Sequence, residues 1–199
     1  MQKRKIFLLS ACAFLLLVCI FQAVLLNRNT VKTFTLKDAV DAVLIEKDGE
    51  NTWLVKNGEA WKVGKTEKDV PYQANQANVD SVLEAVKSVK LLDKVGNASG
   101  EASQIRYDLT DGKKIDVTAY GGGKVLRKIT VGKASTTGTQ CYVMLDGGNE
   151  VYLASGNLAS TFGKSTDDFR SRTVWTLDKN MIGSIAIKKV DGTEWKVSR

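Results

Sequence analysis

Ile6 to Leu26 is an unbroken run of apolar and small residues in which Ser10 and Gln22 are the only polar side chains. As a helix it would extend about 31 Å at ~1.5 Å per residue, which matches a hydrocarbon core roughly 30 Å thick. A soluble fold would have to surround such an all-round apolar helix completely, whereas a bilayer accepts it as it stands. The run therefore reads as a single transmembrane anchor over residues 6–26. Residues 1–5 form a short basic tail before it, residues 27–41 a polar stalk after it, and residues 42–199 one domain. Lys3-Arg4-Lys5 precede the run while Arg28 and Lys32 follow, so the positive-inside rule places the tail in the cytoplasm and the domain outside the cell membrane.

Two rival readings of this segment fare worse. A cleaved secretory signal has an apolar region of about 7–15 residues and a small-x-small site; this run is longer and ends Val24-Leu25-Leu26-Asn27. Leu9-Ser10-Ala11-Cys12 resembles a lipoprotein cleavage box, but only Ile6 to Ala11 would precede the cysteine, and more apolar chain follows where a polar tether is expected.

The domain is large enough to bury about two thirds of its unfolded surface. The chain's formal charge of +7 invites a nucleic-acid reading, but four of its 29 basic residues flank the anchor and no acid precedes Asp38. The rest is close to balance and shows no basic stripe, which argues against a nucleic-acid partner. Histidine is absent and Cys141 is the one cysteine outside the anchor. That removes Ser-His-Asp and Cys-His machinery, histidine metal sites, zinc clusters and any internal disulfide. No cofactor is expected, and no enzyme.

Along the domain, Val43 and Ile45 alternate up to Asp48-Gly49, Thr52 to Val55 returns, and Ala60 to Val63 follows Asn57-Gly58. This predicts a three-strand antiparallel meander. Val79, Val82, Leu83, Val86 and Val89 recur at helical spacing, with Asn78 as the expected N-cap and Gly96 beyond the end. Gln104 to Leu109 reads as a short helical turn. Ile115 to Ala119 and Val125 to Val131 form a hairpin about Gly121-Gly122-Gly123. Lys124 after these glycines suggests a phosphate loop, but the Gly-x-x-x-x-Gly-Lys-Ser/Thr spacing between strand and helix is lacking. Gln140 to Leu145 and Glu150 to Ala154 make another hairpin, and a more helical segment runs from Asn157 through Arg172. The closing hairpin, Ile185 to Val190 and Glu194 to Val197, echoes Val43 to Gly49 and Glu59 to Val63. It is either the start of a second repeat, over residues 183–199, or the last strands of one sheet.

Five residues stand out as interaction or structural positions. Asp168, Arg170 and Arg172 cluster before the apolar Val174-Trp175 and look like a helix end docking on a sheet. Trp53 and Tyr152 are core or cross-strand packing if buried, and ligand platforms if they line a concavity together with Tyr120.

Several of these pieces, in this order, resemble the family known as domain of unknown function 4340. They are the N-terminal anchor, Trp61-Lys-Val63, Val70-Pro-Tyr-Gln-Ala74 before the Val79 helix, Tyr107-Asp-Leu109, and Ile129-Thr-Val131-Gly132. Tyr142-Val143 followed by Val151-Tyr152, then Asp168-Phe-Arg-Ser-Arg172, complete the set. The family more often has glycine where Asp108 stands. The resemblance implies a membrane-tethered, extracytoplasmic bacterial domain linked to ABC-type transporters of the gliding-motility auxiliary kind, with transporter membrane subunits as partners. It supplies no catalytic residues. The expected fold is α+β: antiparallel meanders and hairpins with one main amphipathic helix, preceded by the single transmembrane helix. The expected function is a non-enzymatic accessory module beside a transporter. The alternative is a domain that binds envelope glycan or another small ligand.

Overall fold

The computed structural model describes residues 12–22, 32–173, 178 and 180–198. Residues 12–22 are helical (α1), with Phe14, Leu15, Leu16, Leu17, Ile20 and Phe21 exposed. Among the described residues no helix is long and apolar enough to cross a membrane. The rest of the expected anchor, 6–11 and 23–26, lies outside the described residues, as do Val174-Trp175.

The meander appears as expected: β2 (Ala42–Lys47), β3 (Glu50–Asn57) and β4 (Ala60–Gly64). Both Asp48 and Gly49 take positive φ, 53° and 78°, which gives the tight turn a twist matching its flanking strands. The remaining strands are β1 (Lys32–Thr35), β5 (Tyr72–Gln73), β6 (Ser88–Asn97), β7 (Ile115–Gly121), β8 (Lys124–Ala134), β9 (Gln140–Leu145) and β10 (Glu150–Ser155). Together they form one ten-stranded sheet, ordered β1-β6-β10-β9-β8-β7-β2-β3-β4-β5, with antiparallel neighbours throughout. The sheet begins ten residues before Ala42: Lys32–Thr35, inside the stretch read as a stalk, pairs with Ser88–Leu91.

Three helices cover one face. They are α2 (Gln76–Lys87), α4 (Leu158–Phe162) and α5 (Thr166–Phe169). Val79, Val82 and Val86 of α2, Phe162 of α4 and Phe169 of α5 share one buried cluster with Val43, Ile45, Leu54, Val63, Val117, Ile129 and Val143. These strand residues alternate along their strands, so a single sheet face supplies them all. A shorter helix, α3 (Glu101–Tyr107), covers part of the other face, where Tyr107 and Leu109 pack with Ala98 and Val151. Gly132 permits this approach: a Cβ there would lie 2.2 Å from the Tyr107 carbonyl oxygen.

Helix α2 differs from expectation at both ends. Its N-cap is Asn75, whose side chain accepts from the Asn78 N–H at 3.3 Å. Asn78 itself donates to the Asp168 carbonyl oxygen and accepts from Lys164. At the other end the chain turns straight into β6 at Ser88, so Val89 is a buried strand residue. Its helical spacing is coincidental, since a three-residue step also serves a chain that changes from helix to strand. The segment from Asn157 onward is two short helices, because Gly163 closes α4 and Ser165 opens α5.

The closing hairpin, β11 (Ser184–Lys188) and β12 (Glu194–Ser198), is a separate two-stranded sheet. Among the described residues it pairs with no strand of the ten-stranded sheet.

Candidate functional site

The segment 163–173 carries three of the five singled-out residues and forms one wall of a cleft of about 440 Å³. A capping box builds it. The Ser165 hydroxyl lies 2.7 Å from Asp168 Oδ2, the Ser165 N–H donates to the same oxygen at 3.1 Å, and the Asp168 N–H donates back to Ser165 Oγ at 3.3 Å. Two orphan donors of the helix start are thereby satisfied reciprocally. These bonds hold the Asp168 carboxyl below the usual carboxylate range, the Ser165 hydroxyl first and its N–H second, with the Arg172 and Lys164 charges adding to them.

Arg170 follows at the C-cap. Its Nη1 donates to Asp167 Oδ1 at 3.0 Å, and its guanidinium lies over the Tyr72 ring, 3.5 Å from the centroid. Main-chain bonds from Ser171 N–H to the Gln73 carbonyl and from Asn75 N–H to the Phe169 carbonyl lash this segment along β5. That closes one edge of the sheet. Glu50, Lys65, Asp69 and Asp167 line the cleft with Tyr72 and Arg170, so its lining carries charges of both signs. Arg172 is exposed, and among the described residues no ion pair holds it. With Asp167, Arg170 and Ser171 it borders a second hollow of about 380 Å³.

Trp53 and Tyr152 are not brought together. Trp53 stands on the sheet face away from α2, stacked on Tyr120 with centroids 5.6 Å apart and planes at 25°. Leu44 lies between their strands and is buried beneath them. Both rings are half-buried, and they form an aromatic pair on this face. Burial pushes the Tyr120 hydroxyl pKa up, and the charges of Glu46 and Glu67 add to it. Tyr152 is on β10, beyond β2, β7, β8 and β9 in the sheet order, and packs against the cluster on the opposite face. Its hydroxyl donates to Glu150, which raises its pKa, and Glu150 in turn accepts from Lys94. Cys141 is fully buried and burial raises its thiol pKa, as expected of a packing residue.

Sequence reasoning missed Tyr72, the partner of Arg170, and Arg127. Arg127 is 6% exposed, and among the described residues its Nε has no partner. The signal for it was present: Arg127 shares its parity with Ile129 and Val131, which face the core.

A family model described as domain of unknown function (DUF4340) matches residues 61–199. No curated protein and no solved structure matches the chain. The matched span takes in the cleft segment, the α3 contact and the closing hairpin, and the chain belongs to the DUF4340 family.

Proposed function

We propose that this chain is a non-enzymatic accessory module, tethered to the cell membrane by residues 6–26, that works outside the cytoplasm beside a transport system of the ABC type. The Trp53–Tyr120 platform carries the reading. A half-exposed aromatic pair on the sheet face away from α2 suits contact with another protein, whereas small ligands favour concave sites that enclose them. The 440 Å³ cleft favours the second reading, a small-ligand or glycan site. Against it, the Arg170 guanidinium already covers one face of Tyr72, the aromatic ring a sugar would stack on.

The test is purification of the full-length chain from membranes in mild detergent, beside the Trp53→Ala/Tyr120→Ala double variant with its melting curve. Transporter membrane subunits are expected with the native chain and lost with the double variant. Equal recovery of those subunits with both, or none with either, overturns the proposal.

A further inference from the structure

Where α3 packs on the sheet face away from α2, Val95, Arg106, Tyr107, Lys133 and Tyr142 line a hollow of about 180 Å³. Two breaks in regular strand pairing build it. Between β8 and β9, Val131 faces Val143 and Ala134 faces Cys141, so three steps of β8 run against two of β9. The extra residue is a bulge at Gly132-Lys133. Val131 belongs to the core under α2, and strict alternation would send Lys133 into that same core. The bulge turns it out instead, and Lys133 is exposed beside Tyr142 in the hollow.

The second bulge is on β6. Gly96 faces Val151 and Lys94 faces Tyr152, so Val95 is the extra residue opposite one step of β10. Its carbonyl oxygen accepts from the Tyr107 hydroxyl at 3.1 Å. Gly96 leaves room for that ring, since a Cβ there would lie 2.7 Å from the hydroxyl oxygen. Tyr107 tilts on Tyr142 with centroids 4.9 Å apart, and the Arg106 guanidinium lies over the Tyr107 ring, 5.7 Å from its centroid. Bulges concentrate beside functional sites because they re-aim a side chain at the expense of ladder pairing. Here two of them, on separate strands, serve one concavity.

Its charge has one sign. None of the five lining residues is acidic. Among the described residues neither Arg106 nor Lys133 has a carboxylate partner: Asp108 is taken by Lys113 and Glu150 by Lys94. Two unneutralised cations in one small hollow repel each other, and an anion between them offsets that repulsion. A carboxylate has charge for one of them, whereas a phosphate monoester carries about −1.5 to −2 and matches both. The planar fork of arginine beside the point charge of lysine suits phosphoryl oxygens. The two tyrosine rings offer an apolar wall to the first carbons of the ester.

We infer that this hollow binds a phosphate monoester group, carried by a soluble metabolite or by a lipid headgroup, with Arg106 and Lys133 on its oxygens. The inference stands apart from the transport reading and from the Trp53–Tyr120 pair.

The experiment measures equilibrium binding of radiolabelled glycerol 3-phosphate to the full-length chain in mild neutral detergent. Saturable binding is expected. Arg106→Gln with Lys133→Gln should weaken it by about tenfold or more, the loss of two charge-assisted contacts, with the melting curve held because both side chains are exposed. Lys87→Gln with Lys124→Gln makes the same charge change elsewhere and should leave binding as it was. Lys133→Arg should retain it. Mixed micelles holding phosphatidic acid, against micelles of phosphatidylglycerol, identify the carrier. Competition by phosphatidic acid alone assigns the site to a headgroup, and no competition by either lipid assigns it to a soluble monoester; both results support the inference. Absence of saturable binding, equal binding by the native chain and the Arg106/Lys133 double variant, an equal loss in the Lys87/Lys124 control, or displacement by acetate as effective as by inorganic phosphate overturns it. Each of these would leave recovery of transporter subunits through Trp53 and Tyr120 unchanged, so the two proposals fail separately.

Discussion

Arg127 donates from Nη1 to the carbonyl oxygen of Phe34 at 2.7 Å. Phe34 is on β1 and Arg127 on β8, with β6, β10 and β9 between them in the sheet order. In a flat sheet those strands would be about 19 Å apart at ~4.8 Å per strand, so the sheet must curl to bring them within reach. The same Nη1 donates to the Val86 carbonyl at 3.1 Å, in the last turn of α2. A cation is favoured at that end of a helix. One buried guanidinium therefore ties the strand nearest the expected membrane tether to both the sheet and the main helix.

Replacing Arg127 by Met should strand the Phe34 and Val86 carbonyls. A buried acceptor left without a donor costs roughly 1–3 kcal/mol, and removal of a lone buried cation offsets part of that. A net loss of about 1–2 kcal/mol in denaturant unfolding is expected. Amide exchange should quicken first at Leu36, whose N–H donates to the Lys87 carbonyl, with β7 unaffected. An even loss of protection across the sheet would contradict the latch.

Helix α2 gives a graded series. Val86 is fully buried, Leu83 half-buried and Lys87 exposed. Val86→Ala should cost about 1.5–3 kcal/mol. Leu83→Ala should fall below the ~2–5 kcal/mol of a fully buried leucine, and Lys87→Ala should stay within about ±0.5 kcal/mol. Thermal melts of the three variants check the order.

Asp108 closes α3 in the left-handed region, at φ 53° and ψ 44°. Glycine meets no penalty there. Asp108→Gly loses the exposed Lys113 pair at 3.2 Å, a contact usually below about 1 kcal/mol. Stability should hold or rise by up to about 1 kcal/mol, whereas Asp108→Val should lower it by about 1–2 kcal/mol. Equal stability of the Gly and Val variants would show that this backbone position relaxes.

The strands were legible because alternation and turn dipeptides act locally: Val43 and Ile45, Asp48-Gly49, and Ile115 through Ala119 each announce their own hairpin. The core stripe of α2 was legible for the same reason. What sequence alone could not supply was long-range. Asn75 and Asn78 are equally good caps in isolation, and it is Lys164 and Asp168, some 90 residues away, that engage Asn78. Residues 32–35 look like a stalk because every side chain in β1 is exposed. They form a strand through main-chain pairing, which leaves no mark on hydrophobic pattern. Tyr72 and Arg170 meet only once β5 lies beside the segment after α5, so the cleft had no sequence signature of its own.

Asp168 makes acid stability testable at one residue. Its folded pKa is depressed, chiefly by the Ser165 hydroxyl and N–H. The stability it contributes is therefore present above its unfolded value, near ~3.9, and is lost as pH falls through the lower folded value. In Ser165→Ala the carboxyl resonance of Asp168 should titrate closer to an ordinary aspartate. The melting curve should also become less sensitive to pH on the acid side of ~4. An unmoved Asp168 titration would mean that the Arg172 and Lys164 charges, and not the capping box, set its acidity.

Arg170 and Arg172 are separated by the same reasoning. Both were expected to serve a docked helix end, and the contacts divide them. Arg170 stacks on Tyr72 and bonds Asp167, with its side chain 39% exposed. Lysine would keep the charge but lose the planar stack and the fork of donors. At this exposure the stack and the pair are each worth about 0.5–1 kcal/mol at most. Arg170→Lys should therefore lower stability by about 0.5–1 kcal/mol, and the loss should shrink when Tyr72 is already Leu, since the two changes remove one contact. Arg172 is exposed, so Arg172→Lys should leave the stability unchanged within about ±0.5 kcal/mol. Melts of the two single lysine variants and of the Tyr72→Leu pair decide the matter. A loss at Arg172 equal to that at Arg170 would return both to a structural role. An unchanged melt at Arg172 with lost recovery of the transporter subunits would make it part of the contact surface.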